Sequence, residues 1–176
     1  MMSRQVGVWK VLAMMVGLVL MGVGLGGCGG PSFGPHPIEI CLSDQLKGKT
    51  VEVDVIGVSN DQMAANWAAQ NVTKYFSAGD SSRREAVGRQ EFRFSEGDRD
   101  CKNISASDPI WEGAWKGAHS VVVLANIPFM ESEGGKPSDA RRSVITLQRG
   151  VWEGDKIQVQ VGETSVKILT AQKPQK

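Results

Sequence analysis

The chain has 176 residues, 22% of them charged and 41% hydrophobic, with 20 Lys and Arg against 19 Asp and Glu. Such a composition excludes a disordered or collagen-like polymer, and the near-zero charge balance excludes nucleic-acid binding as the organising property. The length suits one domain with a single core.

Residues 1–27 stand apart. Arg4 and Lys10 make the tip positive, and 11–25, VLAMMVGLVLMGVGL, carries no charge. Fifteen residues rise about 22 Å as a helix, short of the roughly 30 Å of hydrocarbon a membrane span must cross. A positive start, a short apolar run and small residues then make a secretory signal peptide. Gly22, Gly24 and Gly27 have the G-x-G-x-x-G spacing of a dinucleotide loop. That loop needs a strand before it, a helix after it and an acidic residue about 20 positions on. Here a helix-forming run precedes it and GGPSFGPHP follows, so no nucleotide-binding site is expected.

Leu25, Gly26, Gly27 and Cys28 spell LGGC, which resembles the lipobox of bacterial lipoproteins. The resemblance implies that Cys28 is the lipid attachment site. Its thiol would carry diacylglycerol, and its amine, as the mature N-terminus, would take an N-acyl chain such as palmitate. Several acyl chains, each stabilised by about 0.8 kcal/mol per buried methylene, anchor a protein where a single chain does not. Gly29 rather than Asp follows the cysteine, which implies the periplasmic side of the outer membrane, or the cell membrane in a one-membrane cell. The alternative is an ordinary secretory signal cut at another position. Beyond the lipid no cofactor is expected.

Loss of 1–27 leaves 149 residues with 18 basic and 19 acidic side chains, because Arg4 and Lys10 leave with the signal. With Cys28 acylated, Cys41 and Cys101 remain; an exported compartment permits a disulfide between them. Two unpaired thiols are the other reading.

Residues 28–37 hold glycines and prolines without periodicity and read as a flexible tether. The stretches 38–43 and 50–58 alternate apolar and polar residues, the period of half-buried strands, and read as an antiparallel pair. Over 59–76 the period changes: Ser59, Asn60 or Asp61 offers an N-cap, and Ala65, Ala69, Val72 and Phe76 make one helical stripe that stops near Gly79. Strand alternation returns at 89–96. Asp108 and Pro109 then open a short helix over 107–117. The run HSVVVLANI, 119–127, reads as a central strand buried on both faces, and 128–139 as a loop. Strands follow at 141–148, 156–161 and 165–170, the last two joined by a tight turn at Gly162 and Glu163. The end, 171–176, reads as a solvated tail. The fold class is therefore mainly β: a seven-stranded antiparallel β-sandwich over 38–170, transthyretin-like or Ig-like, with one inserted helix after strand two.

Catalytic chemistry has little to work with. His36 lies between two prolines, and His119, with Glu112 or Asp108 as possible partners, opens a buried strand. The two histidines have no zinc spacing, so no metal site is expected. There is no G-x-S-x-G or Walker loop. Glu131 and Glu133 share a loop that cannot fix a carboxylate separation. NVT (71–73) and NIS (103–105) fit the glycosylation sequon, which a bacterial lipoprotein does not normally use. Trp67, Trp111, Trp115 and Trp152 could stack on sugars, but their positions favour packing, with Trp111 and Trp115 on one face of the short helix.

The order of lipobox, tether, two strands, inserted helix and five strands resembles TssJ, the outer-membrane lipoprotein family of the type VI secretion system. VEVDVIGVSNDQMAANW stands where that family runs from its second strand into the insertion. AHSVVVLANIPF resembles its late apolar strand, and DKIQVQVGETSVKI its closing hairpin. LSDQLKGKT stands in place of the family's Leu-Asn-Pro, so no contact residue is carried over. The resemblance implies a non-enzymatic protein that holds a periplasmic partner, the large inner-membrane subunit of the secretion channel, to the outer membrane. Its partner surface would be the loops at 43–50 and 128–139. A solute- or glycan-binding lipoprotein and a lineage-specific structural lipoprotein are the alternatives; no nucleic acid is expected as a partner.

Overall fold

A computed structural model describes residues 30–128 and 139–174. The signal peptide, the lipobox with Cys28, and Glu131 and Glu133 lie outside the described residues.

Eight strands form two four-stranded sheets among the described residues. One has the order β4 (Cys101–Ile104), β1 (Ile38–Leu42), β7 (Ile157–Val161), β8 (Val166–Ile168). The other has the order β3 (Arg89–Phe94), β2 (Val51–Val58), β5 (Ser120–Ala125), β6 (Arg142–Thr146). The inner faces pack as the alternation requires: Ile38, Ile40, Leu42, Ile157, Val159 and Val161 from one sheet meet Val51, Val53, Val55, Val121, Val123 and Ile145 from the other, all buried. The mainly β sandwich with a helical insertion after the second strand is thus the fold.

Three details differ from the sequence reading. First, β1 and β2 are not partners. β1 pairs antiparallel with β4 and parallel with β7, whereas β2 pairs with β3 and β5. Alternation reports which face is buried, not who the neighbour is. Residues 43–50, with a 3-10 turn at Asp44–Leu46, cross from one sheet to the other, and buried Leu46 seals the crossing. Second, an eighth strand, β4, was not expected. Of its four residues only Ile104 is buried, so it carries no readable period.

Third, the insertion is three short helices: α1 (Asp61–Ala68), α2 (Val72–Tyr75) and α3 (Ser81–Glu85). Asn71 breaks the expected helix. Its side chain accepts a hydrogen bond from Lys74 N at 2.8 Å and caps α2, as Asn60 caps α1 and Asp80 caps α3. Of the expected stripe Val72 is buried and Phe76 half-buried, whereas Ala65 and Ala69 are exposed; Tyr75, outside the stripe, is buried. The insertion covers the outer face of the second sheet, where Ile56, Val58, Val72, Tyr75, Val122 and Leu124 form a second apolar cluster. With both faces covered, β5 is buried at every position, as its unbroken apolar run requires.

Register gives the sandwich two ends. At the Ile38 end, Gly34 N donates to Leu147 O across the sheets at 3.2 Å. At the Leu42 end, Val166 N donates to Ala140 O at 2.7 Å. The crossings 43–50 and 95–100, the 162–165 hairpin turn and the strand ends flanking 128–139 share the Leu42 end. The chain before β1 and the connections 105–119 and 147–156 share the other.

Backbone hydrogen bonds extend into the segments before β1 and after β8. Arg149 N donates to Ser32 O at 2.8 Å, Phe33 bridges Gln148, and Ile157 N donates to Pro37 O at 2.8 Å. Residues 32–37 are therefore fastened to the sandwich. So are 171–173: Glu153 N donates to Ala171 O at 2.9 Å and Lys173 N to Val151 O at 2.7 Å. Backbone pairing of this kind needs no side-chain pattern, which is why neither segment signals it in the sequence.

Candidate docking site

The 43–50 crossing is held from beneath and open above. Ser43 N donates to Val161 O at 2.8 Å, and directly behind it Cys41 and Cys101, register partners on β1 and β4, are joined by a disulfide. Lys47 reaches Asp44 at 2.8 Å and, on the neighbouring 95–100 crossing, Asp100 at 3.3 Å. The hydrogen bond from Lys47 holds the Asp44 carboxyl below its ordinary value, and Asp44 in return holds the Lys47 amine above its own. Both groups stay charged near neutrality, and Asp44 is 87% exposed. Lys49 lies 3.8 Å from Glu163 of the hairpin turn. The result is a surface of alternating charge on a rigid base, suited to polar recognition at a rim.

Arg141 fixes the other connection at this end. Its guanidinium donates to Asp139 Oδ2 at 2.7 Å, to Ile127 O at 3.4 Å and to Thr73 Oγ1 at 2.9 Å. It thereby clamps both feet of the 128–139 connection and joins them to the insertion. Burial alone would raise the Asp139 carboxyl, but hydrogen bonds from Arg141 carry it below its ordinary value. Sequence reading missed Arg141, because an arginine at a strand's start reads as solvated.

A second polar cluster lies under the insertion. Asp54, fully buried on the outer face of β2, accepts from Arg83 Nε at 2.8 Å and from Tyr75 Oη at 2.9 Å, with Arg89 at 3.6 Å. Arg83 also reaches Glu52 at 3.2 Å and stacks over Phe76 at 4.6 Å. Burial and the Asp54 charge push the Tyr75 hydroxyl far above its ordinary value, so it only donates. Burial would lower the Arg83 guanidinium, yet Asp54 with Glu52 and Glu91 holds it above its ordinary value. Every group is engaged by another protein group, so the cluster fastens α2 and α3 to the sheet and leaves no acid or base free for chemistry.

At the Ile38 end, Phe33 stacks on His119, with ring centroids 4.0 Å apart and planes 7° from parallel. These two, with Trp111, Trp115 and Arg149, line a cavity of about 330 Å³. The Arg149 guanidinium lies over Gly34, so near that a Cβ there would meet Nη2 at 2.5 Å. His36 is held against this corner. Burial lowers its pKa, a hydrogen bond with the Gln148 backbone opposes the change, and the Arg149 charge adds to it.

No protein-family model matches the chain, and no curated protein matches it. Among solved structures it is similar to the C-terminal domain of the T6SS protein TssM from EAEC, at 12% identity over 76% of this chain and 99% of that one, with a TM-score of 0.47. It is similar to the T6SS lipoprotein TssJ1 from Pseudomonas aeruginosa, at 12% identity over 80% and 99%, with a TM-score of 0.45. It is also similar to Serratia marcescens Lip, a membrane bound component of the Type VI Secretion System, at 10% identity over 77% and 98%, with a TM-score of 0.45. No residue role is transferred from these likenesses.

The remaining candidates from the sequence do not assemble. His119 faces Phe33 rather than Glu112 or Asp108, and Asp108 instead caps the 3-10 turn at Pro109–Trp111 by accepting from Ile110 N at 3.0 Å. That turn, continued by further turns to Gly117, is the short helical element expected over 107–117. Trp111, Trp115 and Trp152 are buried and offer no open stacking platform, whereas Trp67 is half-buried and packs edge-on to Tyr75 at 5.7 Å. Among the described residues no group of three or more His, Cys, Asp or Glu could hold a metal ion. No described helix is long and apolar enough to cross a membrane.

Proposed function

We propose that the protein is a lipid-anchored envelope lipoprotein that docks a periplasmic partner without catalysing a reaction, in the manner of TssJ. The observation that carries the docking role is the Leu42 end. There two crossings, a hairpin turn and the feet of the 128–139 connection converge on a base made rigid by a disulfide, Lys47 and Arg141. Loops on a rigid sandwich are where recognition concentrates. The LGGC sequence supports the anchor: lipid on Cys28 would hold the protein to the periplasmic side of the outer membrane. The partner would be the large inner-membrane subunit of a type VI secretion channel.

A photo-crosslinking residue in place of Gln45, compared with one in place of Glu112, tests this in cells. An adduct with one envelope protein from position 45, absent from position 112, is the expected result. No adduct at 45, or the same adducts from both positions, would contradict it. The burial of Trp111, Trp115 and Trp152 speaks against the glycan-binding reading.

A further inference from the structure

We infer that the Ile38 end of the sandwich lies against the phospholipid bilayer, with Arg149 and Lys116 at the level of the lipid phosphates. The inference rests on the lipid at Cys28 proposed above. Its physical basis is the shortness of the leash. Because Ser32 and Phe33 are fastened to 148–149, no more than the stretch from Cys28 to Phe33 can separate the lipid from the sandwich. Five residue steps span at most about 18 Å fully extended. The eight residues of β2 alone run about 27 Å along the sandwich. An inverted sandwich would lift Phe33 beyond the reach of its own anchor. The Leu42 end therefore points away from the membrane.

The Ile38 end carries cations that can meet the bilayer. Arg149, over Gly34, and Lys116, beside the cavity residue Gly117, are both exposed and form no ion pair among the described residues. At the opposite end Lys47 and Lys49 are matched by Asp44, Asp100 and Glu163, but Arg99 on the 95–100 crossing is exposed as well, so charge does not by itself choose the end. Exposed, unmatched cations beside a lipid anchor suit phosphate oxygens. Glu112, Glu153 and Asp155 also lie at the Ile38 end, so this is no basic patch; the leash sets the orientation and the two cations its contacts.

The test uses the full chain, processed in cells, extracted from membranes and reconstituted in phosphatidylethanolamine–phosphatidylglycerol vesicles containing a headgroup-nitroxide lipid. Fluorophores on Glu112→Cys and Glu163→Cys report the two ends. Quenching several-fold stronger at 112 than at 163 is expected. Insertion of twelve Gly and Ser residues after Gly30 should abolish the difference. Equal or reversed quenching overturns the orientation. An unchanged 112 signal in an Arg149→Glu, Lys116→Glu variant overturns the phosphate contact. The mass of the N-terminal peptide separates the two readings. A peptide without acyl chains overturns the anchor and this orientation together, whereas an acylated protein with equal quenching overturns the orientation alone.

Discussion

Trp115 occupies the place of a side chain at position 57: a Cβ on Gly57 would meet the indole Cγ and Cδ1 at 2.5 Å. Positions 51, 53 and 55 of β2 fill the core with valines, and 57, next on that face, is left empty so that the indole can close the Ile38 end. Trp115 Nε1 donates to Gly88 O at 2.5 Å and its ring meets Trp111 edge-on at 4.9 Å. Gly57→Ala should cost about 1–3 kcal/mol by overpacking. Trp115→Ala should cost about 3–5 kcal/mol. In urea unfolding the two should combine less than additively, because the truncated ring no longer meets the added methyl. Additive losses would show that Gly57 is small for another reason.

Arg83→Leu should be more damaging than a surface substitution. It leaves Asp54, fully buried, with only Tyr75 and the more distant Arg89 for its charge. Breaking a buried pair from one side costs about 3–5 kcal/mol. Chemical denaturation measures the loss, and near-UV circular dichroism of the aromatic cluster around Tyr75 should fall with it.

His36 gives a pH dependence of definite sign. Its folded pKa lies below the ordinary 6.5, mainly through burial, so near that pH the unfolded chain binds more protons than the folded one. Its contribution is present above 6.5 and is lost as the pH falls through the lowered folded value. Glu39 and Asp44 are held low by Lys156 and Lys47, so they titrate below this window. Thermal midpoints should fall between pH 7 and pH 5, and His36→Gln should remove part of that fall. The same slope in both proteins would show that His36 is not the sensor.

The disulfide encloses a sequence separation of 60 residues, worth about 4 kcal/mol on the chain-entropy account. A Cys41→Ser, Cys101→Ser protein should unfold at a correspondingly lower denaturant concentration. Hydrogen exchange in it should rise first in β4 and in 95–100, since among the described residues β4 pairs with β1 alone.

What could be read from the sequence follows from where the information is stored. The faces of β1, β2 and β7 were legible because alternate burial writes itself into residue type. So was β5, whose unbroken apolar run reflects a cover on both sides. Pairing partners were not legible, because Val51 looks the same beside Phe94 as it would beside a residue of β1. Asn71 does not announce a break within 59–76, because capping is decided by the backbone on either side of it. Asp54, Arg83 and Arg141 were invisible as a framework, since charged residues 29 positions apart declare no contact until the insertion folds back over the sheet.

The N-terminal peptide of the membrane-extracted protein reports whether an anchor at Cys28 stands behind the docking sandwich. Mass spectrometry should find a mature chain that begins at Cys28 and carries the diacylglyceryl and N-acyl mass, and Cys28→Ser should release the protein from membranes. A chain beginning elsewhere, or Cys28 with a free thiol, would contradict the lipid anchor.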